Sequence, residues 1–231
     1  MIFSRSKTSD DSEKRKYTRS ALVVGLGRFG SSAAERLIGL GWDVVGIDKN
    51  PDVVQMMGDR LTHVLELDAA DEDALATVGV DDFSVCIVSR GESVESSILL
   101  VMNLQELGAR RVVAKATSQY HAKILGRLGV NDIIFPELDA GKRLAETLQA
   151  PHLTWWTRID DERLLGLIKV PKSRTGCPLD LWEASRLPSL QILAHLDKNG
   201  NSMVIDRHAP LQEGEILLVS GSPDDLLSFG Q

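Results

Sequence analysis

Gly25-Leu26-Gly27-Arg28-Phe29-Gly30 is a GxGxxG run, and its residue types suit an anion. Glycines let the chain turn tightly and let backbone N–H groups approach a phosphate. A helix that starts there adds unpaired donors and partial positive charge. The spacing of the neighbours completes the pattern. The run follows the apolar stretch Ala21-Leu22-Val23-Val24 and opens a helical periodicity, and the next apolar stretch ends in Asp48. An acid about twenty residues beyond such a turn is placed to accept hydrogen bonds from ribose hydroxyls. Together these residues describe a site for an adenine nucleotide.

Arg28 bears on which nucleotide. A guanidinium in the first turn of a helix opposes the helix dipole unless an anion pairs with it. It suits a terminal phosphate better than a pyrophosphate already served by backbone donors. An oxidoreductase on the same turn would need a general acid or base beside an orienting carboxylate. None can be assembled, because His121, His152, His195 and His208 are scattered without repeat spacing and read as surface or satisfied histidines. The expectation is a binding protein, not an enzyme.

Composition narrows the setting. The 231 residues, 43% hydrophobic and 26% charged, fit one mid-sized or two small globular domains. Twenty-six Lys and Arg against 33 Asp and Glu leave a formal charge of −7, which argues against broad phosphate-backbone binding to nucleic acid. The two cysteines, Cys86 and Cys177, lack CxxC spacing, which excludes a disulfide scaffold and argues against a zinc site. No apolar run reaches the roughly 18–20 residues that span a bilayer. The first residues lack the apolar core of a secretory signal. A cytoplasmic protein is expected.

The elements that must position the site follow from the hydrophobic pattern. Residues 1–19 are polar, of mixed charge and without periodicity, and read as a mobile tail. From Ser20 strands and helices alternate. Strands are expected at Ala21–Val24, Asp43–Asp48, His63–Leu67, Ser84–Val88, Arg111–Ala114 and Asp132–Phe135, with helices between them. Six strands with short helical crossovers imply an α/β, Rossmann-like doubly wound parallel sheet. One more helix runs from Pro136 to about Ala150, completing a first domain over 20–150. After Pro151 the rhythm changes. Strands at Leu164–Val170, Leu190–Leu196, Met203–Ile205 and Glu215–Ser220, a hairpin turn at Lys198–Asn201 and short helices at Pro178–Ala184 and Pro223–Phe229 imply a smaller α+β domain over 151–231. A domain that small commonly gains stability by pairing with a copy of itself.

Several motifs carry a family likeness: GLGRFG, the acid in GIDKN, LDAADED after the third strand, VAKA at the fifth and IIFPELDAG after the sixth. They resemble the RCK (KTN) regulatory subunits of potassium channels and transporters, above all the cytosolic gating-ring subunits of Ktr potassium-uptake systems. The likeness continues through Pro210–Gly221, which looks like the signature of the RCK C-terminal domain.

The resemblance implies that ATP and ADP, or NAD(H), compete for Gly25, Gly27, Arg28, Phe29 and Gly30 with Asp48 and Lys49. Asp68 and Ala69 would lie against the adenine. Ser89, Arg90, Gly91 and Lys115 would line the cleft, and Arg28 would reach phosphate. Glu137 would help hold a divalent cation (Mg or Ca) at a dimer interface near the γ-phosphates; read from the residues alone, it is an acid that favours a helix N-terminus. The family further implies a homo-oligomer, dimers assembled into an octameric ring. Its partner would be a membrane potassium-translocating subunit of KtrB/TrkH type, with this chain peripheral to the inner face of the plasma membrane. In related proteins the small domain binds cyclic di-AMP. Here Lys169–Arg174 offers basic groups but no pocket matches residue by residue, and a plain dimerisation domain is the alternative. Function then reads as nucleotide-sensing gating of potassium transport without catalysis. The alternative is an NAD(H)-dependent oxidoreductase or NAD redox sensor, which would share the turn and Asp48.

Overall fold

Six short runs of aliphatic and β-branched residues form the expected parallel strands in a computed structural model of the chain. The structure describes residues 19–89, 93–149, 152–160, 162–183 and 189–228. The chain folds as two compact units, divided in sequence between Glu137 and Leu138.

In the first unit β1 (Ser20–Val24) leads into α1 (Arg28–Gly39), and β2 (Asp43–Asp48) into α2 (Pro51–Met57). β3 (His63–Glu66) leads into α3 (Glu72–Ala76), β4 (Val85–Val88) into α4 (Val94–Glu106) and β5 (Val112–Lys115) into α5 (Gln119–Arg127), before β6 (Asp132–Ile134). The strands lie in the order β3-β2-β1-β4-β5-β6, all parallel. Order reverses between β1 and β4, and ligands of such sheets bind at the carboxyl ends of the strands at that reversal. The glycine turn sits at the end of β1.

Both faces of this sheet are covered, so its central strands are apolar throughout. Leu22, Val24, Cys86 and Val88 pack with Leu100 and Leu104 of α4 and Leu125 of α5. Ala21, Val23 and Val44 pack with Ala34 of α1 and Met57 of α2. The tail expected over residues 1–19 lies outside the described residues except for Arg19, whose carbonyl accepts the Asp43 N–H at 2.8 Å.

The second unit contains the greater part of α6 (Pro136–Gln149), the helix that the sequence reading placed in the first domain. It continues through β7 (Leu153–Arg158), β8 (Leu164–Lys169), α7 (Leu179–Glu183), β9 (Gln191–Leu196), β10 (Ser202–Met203), β11 (Ile216–Gly221) and α8 (Pro223–Ser228). The strands form an antiparallel sheet ordered β10-β9-β11-β8-β7. Its core is Leu153, Leu164, Ile168, Leu179, Leu217, Val219 and Leu226. β10 is shorter than expected: it pairs with β9 through Ser202 and Met203, and the β9–β11 pairing shifts register next to Ala194. Val204 and Ile205, beyond that pairing, are exposed.

Adjacent leucines of α4 test the assigned core. Leu100 is 2% exposed and Leu99 55%. Leu100→Ala should cost about 2–5 kcal/mol in urea denaturation, and Leu99→Ala within about 0.5 kcal/mol.

Candidate nucleotide site at the glycine turn

The turn is built by three glycines with different tasks. Gly25 takes φ of 90°, a left-handed conformation that glycine adopts without strain, and its N–H donates to the Ile47 carbonyl at 2.8 Å. Gly30 is where α1 presses on the turn. A Cβ there would lie 1.9 Å from the Gly25 carbonyl oxygen and 2.7 Å from Ser89 Oγ. Gly27 is the opposite case, since a Cβ there would meet nothing within 4 Å. The middle glycine therefore faces open space, where a ligand can approach the backbone.

Asp48 holds this turn. Its Oδ2 accepts the Leu26 N–H at 2.8 Å and its Oδ1 accepts the Asn50 N–H at 3.0 Å. Each carboxylate oxygen can accept more than one hydrogen bond, so capacity remains for hydroxyl donors. The Asp48 carbonyl accepts the Leu67 N–H at 3.0 Å, which brings the loop after β3 beside it. In that loop Asp68 is exposed, with Oδ1 accepting the Ala70 N–H at 3.1 Å, while Ala69 is buried in the core. Lys49 is exposed next to Asp48, and Phe29 is half-buried. Ser89, buried, donates its N–H to the Val24 carbonyl at 2.9 Å and so sets the end of β4 against the turn. Arg90 and Gly91 lie outside the described residues.

The start of α1 is electrostatically bare. Its N-cap, Gly27, supplies no side-chain acceptor, and no acid lies in the first turn. Asn50, Asp71, Ser93 and Ser118 each accept a backbone N–H at the start of α2, α3, α4 and α5. Only α1 of these five leaves its first N–H groups to an outside anion. Arg28, exposed in that first turn, adds a full positive charge.

Across the strand reversal stands a second charged group. Lys115 ends β5 with its side chain 16% exposed, and its Nζ lies 2.5 Å from Oε1 of Glu137, whose side chain is 71% exposed. The Glu137 carboxyl is held below the ordinary glutamate range, first by this hydrogen bond, then by a backbone hydrogen bond at Glu137 itself and by the charges of Lys115 and Arg28. The structure thus brings Arg28, Lys115 and Glu137 into one electrostatic neighbourhood. Among the described residues no group of three or more His, Cys, Asp or Glu side chains could hold a metal ion. Glu137 by itself is not a complete cation site in a single chain.

Among the histidines, His195 pairs with Glu215 at 2.9 Å, His208 with Asp180 at 3.1 Å, and His152 with the Leu226 carbonyl at 3.4 Å. His121 is different, and its spacing gave no sign of it. It is fully buried in the first turn of α5, where Nδ1 accepts the Thr117 N–H at 3.3 Å. Its Nε2 and the Oγ of Ser97 on α4 are buried without a hydrogen-bond partner. Burial holds its pKa below the ordinary histidine value. Cys86, in β4, is buried and its thiol is pushed up to about 12, which removes it as a nucleophile.

Comparison with known proteins follows the same lines. Residues 21–136 match the model of the TrkA-N domain family. The Ktr system potassium uptake protein C of Bacillus subtilis (strain 168) is 30% identical, over 90% of this chain and 94% of that protein. The Ktr system potassium uptake protein A of Vibrio alginolyticus is 26% identical, over 88% of this chain and 93% of that protein. Among solved structures, the RCK domain of GsuK superposes with a TM-score of 0.60 at 17% identity, covering 93% of this chain and 48% of that one. The GsuK channel bound to NAD superposes with a TM-score of 0.57 at 16% identity, covering 91% of this chain and 38% of that one. The chain thus spans less than half the length of these GsuK chains and shares their fold.

The two glycines separate packing from access. Gly27→Ala should leave the thermal unfolding midpoint within a few degrees of the parent, while Gly30→Ala should lose at least about 3 kcal/mol or fail to fold. His121 sets a pH dependence. Its folded pKa lies below the unfolded value of 6.5, so unfolding takes up a proton between the two values. Stability should be full above the unfolded value, fall as pH drops through it, and level off below the folded value. Urea denaturation at about pH 7.5 and 5.5 should show that loss, and His121→Gln should reduce it.

Proposed function

This chain belongs to the TrkA-N domain family, and from that footing we propose that it is a regulatory subunit of a membrane potassium-uptake system that reads the phosphate state of an adenine nucleotide. The observation that carries the reading is the uncapped start of α1, with Arg28 on it and the Lys115–Glu137 pair across the strand reversal. The open side of Gly27 fits a bound phosphate chain. Gly25, Gly27 and Gly30 with Asp48 and Lys49 hold the adenosine and first phosphates. Asp68 borders the base, and Ser89 borders the cleft.

ATP and ADP share all of those contacts, so only the terminal phosphate can favour one conformation over another. The nucleotide supplies that charge, and Arg28 and Lys115 respond to it. Glu137 completes a Mg or Ca site with a neighbouring copy of the chain. A coupling of about 1–3 kcal/mol per site is enough when repeated around a ring of identical subunits.

The chain is accordingly a homo-oligomer of dimers on the cytoplasmic face of the membrane, docked on a potassium-translocating subunit of KtrB/TrkH type. α6 supports the pairing. None of its side chains is buried, and Leu138, Leu144 and Leu148 are exposed. The role is gating rather than turnover, since the histidines and cysteines of the first unit offer no acid–base pair or thiolate at the turn. NAD(H) would enter the same turn through its adenosine half. The cations at the far end favour a terminal phosphate over a nicotinamide.

Calorimetry of ATP and ADP binding tests the assignment. Wild-type protein should distinguish the two nucleotides, and Arg28→Ala should lose most of that preference, about 5–10-fold, with its ADP affinity little changed. An unaltered preference in the variant would remove Arg28 from the role.

A further inference from the structure

Lys115 and Glu137 form an unequal pair. The lysine ends a strand of the sheet and is largely sheltered, while the glutamate stands at the solvent edge in the first turn of α6. A sheltered ammonium favours an anion beside it, because an unpaired one bears part of the cost of lost hydration. Glu137 is therefore more readily replaced by another anion than simply lost. A phosphate is a suitable replacement, with more negative charge and several acceptor oxygens. Arg28, whose charge already reaches Glu137, would help draw such a group to the same place.

We propose that the Lys115–Glu137 ion pair is an exchangeable latch, in which the terminal phosphate of a bound nucleotide takes Lys115 from Glu137 and releases that carboxylate to solvent. Lys115 then determines specificity, since its exchange depends on how far the phosphate chain extends. Glu137 carries the consequence, since it sits at the root of the helix that runs on into the second unit. This rests on the nucleotide reading of the turn and adds what the phosphate must displace there: the Glu137 carboxylate.

The test is calorimetry of ATP, ADP and AMP in chelator-containing buffer, free of divalent metal. Glu137→Gln should tighten ATP binding by about 3–5-fold, the scale of a partly exposed ion pair, and leave AMP unchanged. In a Lys115→Met background the same substitution should have no effect, with Lys115→Gln used where Lys115→Met does not fold. A gain that persists without Lys115 would reduce Glu137 to simple charge repulsion and overturn the latch. So would a Glu137→Gln protein that binds ATP like wild type when metal is absent. Wild-type protein that binds no adenine nucleotide would instead overturn the nucleotide site itself, an outcome distinct from either.

Discussion

No side chain can be placed on Gly30. A single methyl group would stand 1.9 Å from the Gly25 carbonyl oxygen, inside any permissible contact. That closeness brings the first turn of α1 down onto the end of β1 and fixes where its free N–H groups point. It also lets Ser89 at the end of β4 pack against the same turn, so two strands on either side of the order reversal meet at one glycine. Asp48 then fastens the turn from the β2 side through the Leu26 N–H. Three strands thus converge on a loop of six residues. The convergence depends on the absence of one Cβ.

Charge at the site runs against the charge of the whole. The chain is acidic by seven, yet the first turn of α1 has a cation and no acid. On stability alone a capping Asp, Asn or Ser would be the better choice there, by about a few tenths of a kcal/mol over glycine. The other four helices of the sheet have one. A protein that leaves one helix uncapped and places an arginine on it has given up local stability at one point. A binding site is the kind of place where local rules are broken in this way. The same holds for Lys115, whose sheltered ammonium has an exposed carboxylate as its counter-ion.

Much of this was legible from residue order, for identifiable reasons. Buried parallel strands are continuous apolar runs, and Gly25–Gly30 followed by Asp48 is a pattern whose physical demands leave few alternatives. What escaped was geometry that periodicity does not encode. β7 contains Trp155 and Trp156 in a two-tryptophan run at the sheet edge, with a register shift beside it, and so lacks clean alternation. The unit boundary falls inside a helical pattern, and no composition change marks Glu137 from Leu138. Asp48 was expected as an acceptor for a ribose, and its hydrogen bond to the Leu26 N–H was not foreseen. The Lys115–Glu137 pair joins positions twenty-two residues apart on different elements, and no spacing rule links them. His121 was passed over because a lone histidine in a helix gives no sign of its burial.

α6 is held differently from the helices of the parallel sheet. A helix of fourteen residues is marginal in water unless a face of it is covered. This one buries no side chain, and Leu144 and Leu148, one turn apart, lie exposed on it. Among the described residues its contacts in the second unit include Glu146, which accepts from Arg158 at 3.5 Å, and Arg143, which lies 5.9 Å over the ring of Trp156. Neither contact is strong at such exposure. Along its length α6 is therefore held by small energies, and its exposed leucines would gain from any surface that covers them. A helix sunk in a core is held far more firmly, because dislodging it would cost the burial of several leucines at once.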